Sequence, residues 1–330
     1  MNNHRSRTRP SIAIFGLHTW GEHIIRICHA LGLTITGLDP DSAIRRHITD
    51  TYPFVTLQND ADTIFHDPAI TACIITSPSS THYMLTKKAI RAGKHVLVEK
   101  PMTQNAKEAA SLVTLAATYR RRLMVDHTYL FSPALRKARQ MIRSGRIGSL
   151  LYIRSERSGP GPIRPDSSVI WDLAPHDISV AWLLTGQYPT RARILNAAPA
   201  SPTGPYDADI ELGCSSGIVF HGHISWIMPQ KTRNITIIGT KASVTIEWKE
   251  SEEILLHQKA AHQKSAGMYY KTSRPVPVKQ DKEPLFQTVE YFLSSLATPA
   301  TPLTDGTHAQ EVIRIITKLN ASRNKMIDNK

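Results

Sequence analysis

Short apolar runs alternate with helix-spaced segments from Ser11 to Val125, and no other feature constrains the fold as much. Ser11-Ile12-Ala13-Ile14-Phe15 reads as a buried strand, after which Ile24, Ile25, Ile27, Cys28 and Leu31 recur at helical spacing. Thr34 to Leu38 is a second strand, ending at Asp39. Thr71 to Thr76 is another, stopped by Ser77-Pro78, and Tyr83 to Ala92 reads as a helix closed by Gly93. His95 to Val98, a helix from about Asn105 to Tyr119, and Leu123 to Val125 complete the series. Continuously apolar strands separated by amphipathic helices predict a parallel sheet with both faces covered.

The second half changes period. A helix from Ala134 to Arg143, a strand from Leu150 to Ser158 and a helix from Leu173 to Leu184 precede alternating segments at Asp207–Leu212, Ile218–Trp226, Ile235–Ile238 and Val244–Trp248. Period-two segments in succession predict antiparallel strands covered on one face by the preceding helices. Residues 257–283 are polar, Lys-rich and nearly unpatterned, which predicts a long loop or lid. Leu285–Leu296 and His308–Leu319 read as closing helices. The fold class expected is therefore α/β, with an N-terminal parallel-sheet domain over 11–128 and a C-terminal α+β domain with a large, mostly antiparallel sheet over 129–330. Residues 1–10 are expected to be a disordered basic tail, since they lack the apolar core of a secretory signal.

A length of 330 residues suffices for two cores. No apolar run is long enough to span a bilayer, which excludes a transmembrane-helix reading. Cys28, Cys73 and Cys214 lie far apart within apolar segments; this points to reduced thiols, a cytoplasmic location and no cysteine metal site. The net charge of +13 asks for anionic partners. Its basic residues are scattered, with clusters at Arg120-Arg121-Arg122 and from Arg136 to Arg146 and no aromatic-interleaved stripe. Phosphate-bearing small molecules fit that pattern better than nucleic acid does.

Gly16-Leu17-His18-Thr19-Trp20-Gly21 follows the first strand and opens the first helix. Gly16 and Gly21 occupy the first and third glycine places of a dinucleotide turn, and His18 stands in the second. There His18 either obstructs the pyrophosphate or lies along it as a donor. Asp39 is placed to accept from a ribose hydroxyl pair, which favours NAD. Arg45 and Arg46 nearby offer charge for a 2′-phosphate, so NADP stays open.

Lys100 follows the His95–Val98 strand, at the strand end where open α/β sheets hold ligands, and its ammonium can donate to a hydroxyl becoming alkoxide-like. Asp172 and His176 are spaced i, i+4 and share a face if helical. Histidine can remove a hydroxyl proton, while Asp172 orients the ring or binds substrate. The same residues also fit a capping arrangement, with Asp172 as N-cap, Pro175 in the first turn and Asp177 favoured by the helix dipole. Arg154, Arg157 and Arg164 can meet a substrate phosphate or form a solvated basic loop. His221 and His223 lie on one side of a strand, without a third ligand at useful spacing, so no metal site is expected.

These segments together resemble the family of glucose–fructose oxidoreductase and inositol 2-dehydrogenase. The carriers are the dinucleotide turn, Ser77-Pro78 with His82, Gly93 to Pro101, Asp172 to Asp177, and Glu283-Pro284-Leu285 through Pro302 to Gly306. His127 to Pro133 and Trp171 to Asp177 add similarity to the subset acting on amino and nucleotide-linked sugars. The resemblance implies a Rossmann domain followed by a sheet domain that often forms subunit contacts, and hence a homo-oligomer. It implies cofactor contacts at Ser77, His82 and Glu99, the last near the nicotinamide. It implies catalysis by Lys100, Asp172 and His176; substrate contacts are expected at Arg157, Arg164 and Asp177. The reaction implied is NAD(H)-dependent oxidoreduction of a sugar's secondary alcohol. A cofactor-sensing regulator or scaffold, and a redox-neutral enzyme using bound NAD transiently, are the alternatives on the same fold.

Overall fold

The computed structural model describes residues 11–164, 167–197, 200–201, 204–248, 252–261, 268–279 and 281–328. The expected tail at 1–10 lies outside them. The chain divides into two compact units. One comprises the chain up to Asp126 together with Phe286–Gln310, and the other His127–Leu285 together with the chain from Glu311 onward. The sequence reading placed all of 129–330 in one domain, whereas by contact 286–310 group with the first unit.

The first unit is a doubly wound parallel sheet. Its strands are β1 (Ser11–Phe15), β2 (Thr34–Leu38), β3 (Thr56–Gln58), β4 (Ile70–Ile75), β5 (His95–Glu99) and β6 (Leu123–Asp126), in the order β3-β2-β1-β4-β5-β6. The intervening helices are α1 (Thr19–Ala30), α2 (Ser42–Thr51), α3 (Ala61–His66), α4 (Ser79–Arg91) and α5 (Ala106–Thr118). Val96, Leu97 and Val98 of β5 are fully buried between helix layers, each adding roughly 1.5–3 kcal/mol of apolar burial. The free edge of β6 is closed by the returning segment, where the Val125 amide donates to the Thr304 carbonyl at 2.8 Å. Strand order reverses between β1 and β4, and such a switch point opens a crevice at the carboxyl ends of the strands.

The second unit opens with a short 3-10 turn at Thr128–Phe131 and α6 (Pro133–Arg143). Next come β7 (Leu150–Pro160), α7 (Val169–Thr185), β8 (Arg191–Ala197), β9 (Ala200–Ser201) and β10 (Gly204–Pro205). The strands β11 (Asp207–Gly213), β12 (Val219–Ser225), β13 (Ile227–Gly239), β14 (Ala242–Trp248), β15 (Glu252–Ala261) and β16 (Met268–Pro275) follow. Helix α8 (Pro284–Ser295) and helix α9 (Gly306–Asp328) close the chain. Eight strands form one sheet in the order β16-β15-β14-β13-β7-β12-β11-β8, antiparallel except for the β7–β12 pair. Its inward positions are apolar, with Ile153, Ile210, Phe220, Ile237, Val244 and Leu256 buried. The opposite face is polar: His221 contacts Glu211 at 2.9 Å and Tyr152 at 2.9 Å, and His223 contacts Asp207 at 3.0 Å.

Three expectations need correction. Residues 257–283 are not a patternless loop, because much of the stretch forms the β15–β16 hairpin at the sheet edge. Edge strands carry polar residues as protection against further pairing, and this masks their period. Helix α7 begins at Val169, not Leu173, so Asp172 lies in its first turn rather than capping it. Pro175 is then a helix-interior proline, lacking the amide that would bond the Trp171 carbonyl. Finally, β7 runs to Pro160, two residues past the strand end expected at Ser158.

Candidate functional site

In the first unit the dinucleotide turn is shaped by its two glycines. Gly16 has φ +87°, and a side chain there would begin 2.5 Å from the Ser77 amide nitrogen. A side chain on Gly21 would begin 2.2 Å from the Gly16 carbonyl oxygen. Any larger residue would separate the turn after β1 from the loop after β4. His18 is exposed at the N-cap of α1, with its Nδ1 at 2.9 Å from the Thr19 hydroxyl and its side chain not capping the helix. His18 thus gives the first-turn amides no side-chain acceptor, which leaves the helix N-terminus suited to receive a pyrophosphate. The donor set fits a dinucleotide.

Asp39 is 7% exposed and ties this corner together. Its carboxylate accepts from the Leu17 amide at 2.8 Å and the Asp41 amide at 2.9 Å. Each carboxylate oxygen keeps a lone pair for a further donor. Arg45 donates from one guanidinium nitrogen, Nη1, to the carbonyls of Asp39 and Pro40, both at 2.8 Å. Arg46 is exposed on α2.

Ser77 pairs its hydroxyl with Thr81 at 2.6 Å. His82 does not reach outward, as a cofactor contact would require. It is 1% exposed, with Nε2 at 2.7 Å from the Ser77 carbonyl and Nδ1 at 2.8 Å from the Pro101 carbonyl. The ring thus braces the loop after β4 against the segment after β5 from beneath. Glu99 ends β5 in register with Asp126 of β6, and Lys100 follows, both half-buried at the carboxyl edge of the sheet.

In the second unit Asp172 and His176 stand one helical turn apart on α7, both half-buried. Trp226, just past β12, donates from its indole Nε1 to Asp172 Oδ2 at 3.0 Å. Arg164 places Nε 3.6 Å from Asp172 Oδ1. The Tyr129 ring meets His176 edge-on at 5.0 Å and Trp248 at 5.3 Å, and the Arg157 guanidinium lies 4.1 Å over it. Arg157 and Asp177 are turned inward and face each other at 3.3 Å, both buried. Burial pushes the Asp177 carboxyl above its usual range, and Arg157 pulls it back. Arg154 sits on the polar sheet face beside His221, away from Arg157. Sequence reasoning missed Trp226 and Tyr129. The one available signal for Trp226 was an indole at the end of a period-two strand.

Residues 11–127 match the model described as the oxidoreductase family with an NAD-binding Rossmann fold, and residues 135–245 match the GFO/IDH/MocA C-terminal domain. The chain belongs to the GFO/IDH/MocA oxidoreductase family, and its first unit carries the family's NAD-binding domain. The uncharacterized oxidoreductase YdgJ of Escherichia coli is 30% identical, over 62% of this chain and 56% of that protein. The UDP-N-acetylglucosamine 3-dehydrogenase of Acidithiobacillus ferrooxidans is 26% identical, over 74% of this chain and 76% of that protein. A solved structure of the latter superposes with TM-score 0.81 at 21% identity, covering 96% of this chain and 97% of the other. An Agrobacterium radiobacter oxidoreductase solved with NAD+, L-tartaric acid and magnesium gives TM-score 0.78 at 17% identity, covering 96% of each chain. At those identities the two structures show a shared fold. No helix among the described residues is long and apolar enough to cross a membrane.

Proposed function

We propose that the protein is an NAD(H)-dependent dehydrogenase or reductase acting on a secondary alcohol of a sugar, an amino sugar or a nucleotide-linked sugar. The observation that carries this reading is the Asp172–His176 pair on one face of α7, with the carboxylate held by Trp226 and Arg164. A fixed carboxylate one turn from an imidazole is a positioned acid–base pair. Similarity to a UDP-N-acetylglucosamine dehydrogenase supports the substrate class.

Gly16, Gly21 and the first-turn amides of α1 would hold the pyrophosphate, and Asp39 the adenosine ribose. When bound, the nicotinamide supplies the hydride acceptor or donor. His176 takes the hydroxyl proton on oxidation and returns it on reduction. Lys100 donates to the reacting oxygen and stabilises its developing charge. Asp172 contacts the substrate or steadies His176, and Arg164 meets the substrate at the exposed rim. Asp177 and Arg157 position α7 and Tyr129 from within. The polar face of the eight-stranded sheet is the surface proposed for self-association, and the three buried free thiols support a cytoplasmic setting.

The test is a fluorescence titration with NADH, followed by turnover on UDP-N-acetylhexosamines and inositols. Saturable NADH binding with substrate-dependent NADH formation or consumption is expected. Absence of NADH binding at millimolar concentration defeats the reading.

A further inference from the structure

Three consecutive arginines follow helix α5, and nothing in the proposed reaction uses them. Arg120, Arg121 and Arg122 line a surface cavity of about 520 Å3 together with His95, Ala116 and Leu296. His95 opens β5 and Arg122 immediately precedes β6, so the cavity lies at the amino edge of the parallel sheet. The dinucleotide turn, Glu99 and Lys100 occupy the carboxyl edge, a strand length of about 13 Å away.

The arginines are not needed to cap α5. Its last carbonyls are already met by backbone amides, with Tyr119 bonded to Leu115, Arg121 to Ala116 and Arg120 to Ala117. Arg120 turns the corner with φ 52°, where glycine or asparagine is ordinary. Arg122 donates to the Thr298 carbonyl of the returning segment. Arg121 lies over Gly93, and its Nε is buried without a hydrogen-bond partner. Among the described residues no carboxylate lines the cavity. The Arg122 amide donates to His95 Nδ1 at 2.9 Å, which leaves the proton on Nε2 as a further donor. Burial, then Arg121 and Arg122, hold the His95 pKa below its ordinary value, so the ring stays neutral in that donor form.

We infer that this cavity binds the phosphoryl group of a small molecule, at a second anion site separate from the dinucleotide turn. Guanidinium groups suit phosphate because their paired donors match its oxygens. A concave lining without Phe, Tyr or Trp among the described residues disfavours a nucleic-acid strand, which needs stacking platforms along a groove. A bound anion would also join α5 and β6 to the returning segment through Arg122 and Thr298.

The test is isothermal titration of the full chain with inorganic phosphate and with pyrophosphate, in saturating NADH and at constant ionic strength. Saturable binding is expected, weakened about tenfold or more in Arg121→Gln, with NADH affinity unchanged. Arg120→Gln, at an exposed position, gives the same direction if Arg121→Gln fails to fold. No saturable binding of either anion, or equal binding by wild type and both variants, overturns the proposal. So does stronger, Arg121-dependent binding of a single-stranded RNA oligomer, which would make the patch a nucleic-acid surface. Failure here leaves the dehydrogenase reading intact, because NADH binding is read separately.

Discussion

The indole nitrogen of Trp226 donates to Asp172 Oδ2 at 3.0 Å, joining the end of β12 to the first turn of α7. This bond fixes a carboxylate that Arg164 alone, more than half exposed, would hold loosely. Trp226→Phe keeps an aromatic ring at this position, though a smaller one, and removes the donor. Turnover is expected to fall about tenfold or more, with unchanged NADH affinity and little change in melting temperature. Unchanged turnover would show that Asp172 needs no such brace.

The Arg157–Asp177 pair lies in the interior under Tyr129 and α7. Removing one partner strands a buried charge, so Arg157→Ala is expected to cost about 3–5 kcal/mol in urea unfolding. The double variant Arg157→Leu/Asp177→Leu should lose less than the sum of the single losses. Additive losses would show that the two groups do not compensate each other.

His308 is buried at the start of α9, and burial pushes its pKa down from 6.5 to about 4. Below the unfolded value the denatured chain takes up a proton that the folded chain refuses. Stability from this group is therefore complete above pH 6.5 and is lost as pH falls toward 4, by on the order of 3 kcal/mol in all. Urea midpoints measured across that range should fall less steeply for His308→Gln than for the wild type. Identical slopes would contradict the assignment.

Burial holds the Cys28 and Cys73 thiols at about 12, far from a reactive thiolate. Native protein should leave both unmodified by a maleimide at neutral pH, and both should react in urea. Rapid native labelling of either would place it at the surface.

The first unit was legible because both faces of its sheet are covered. Val96-Leu97-Val98 has no polar position to confuse the period, and Gly16, Gly21, Asp39 and Lys100 fall at offsets the fold requires. The β15–β16 hairpin was not legible, because a register shift between Gln258 and Lys259 breaks the alternation and residues 270–275 of the edge strand β16 are all exposed. The start of α7 was hidden by Pro175, which reads as a first-turn residue although it lies inside the helix. Asp172 and His176 could be paired by spacing alone. Trp226, 54 positions away from Asp172, could be joined to it only by the fold. Arg157 illustrates the same gap. Its place in a strand was legible, but that its guanidinium faces inward against Asp177 was not.

The most direct test of the account is NADH-linked turnover by His176→Ala and Lys100→Ala, measured on the sugar that the wild type turns over. Both variants should bind NADH as the wild type does. Loss of turnover of about 10²–10⁴-fold is expected for His176→Ala, with a loss of similar direction for Lys100→Ala. Turnover retained by both variants would contradict the assigned acid–base chemistry.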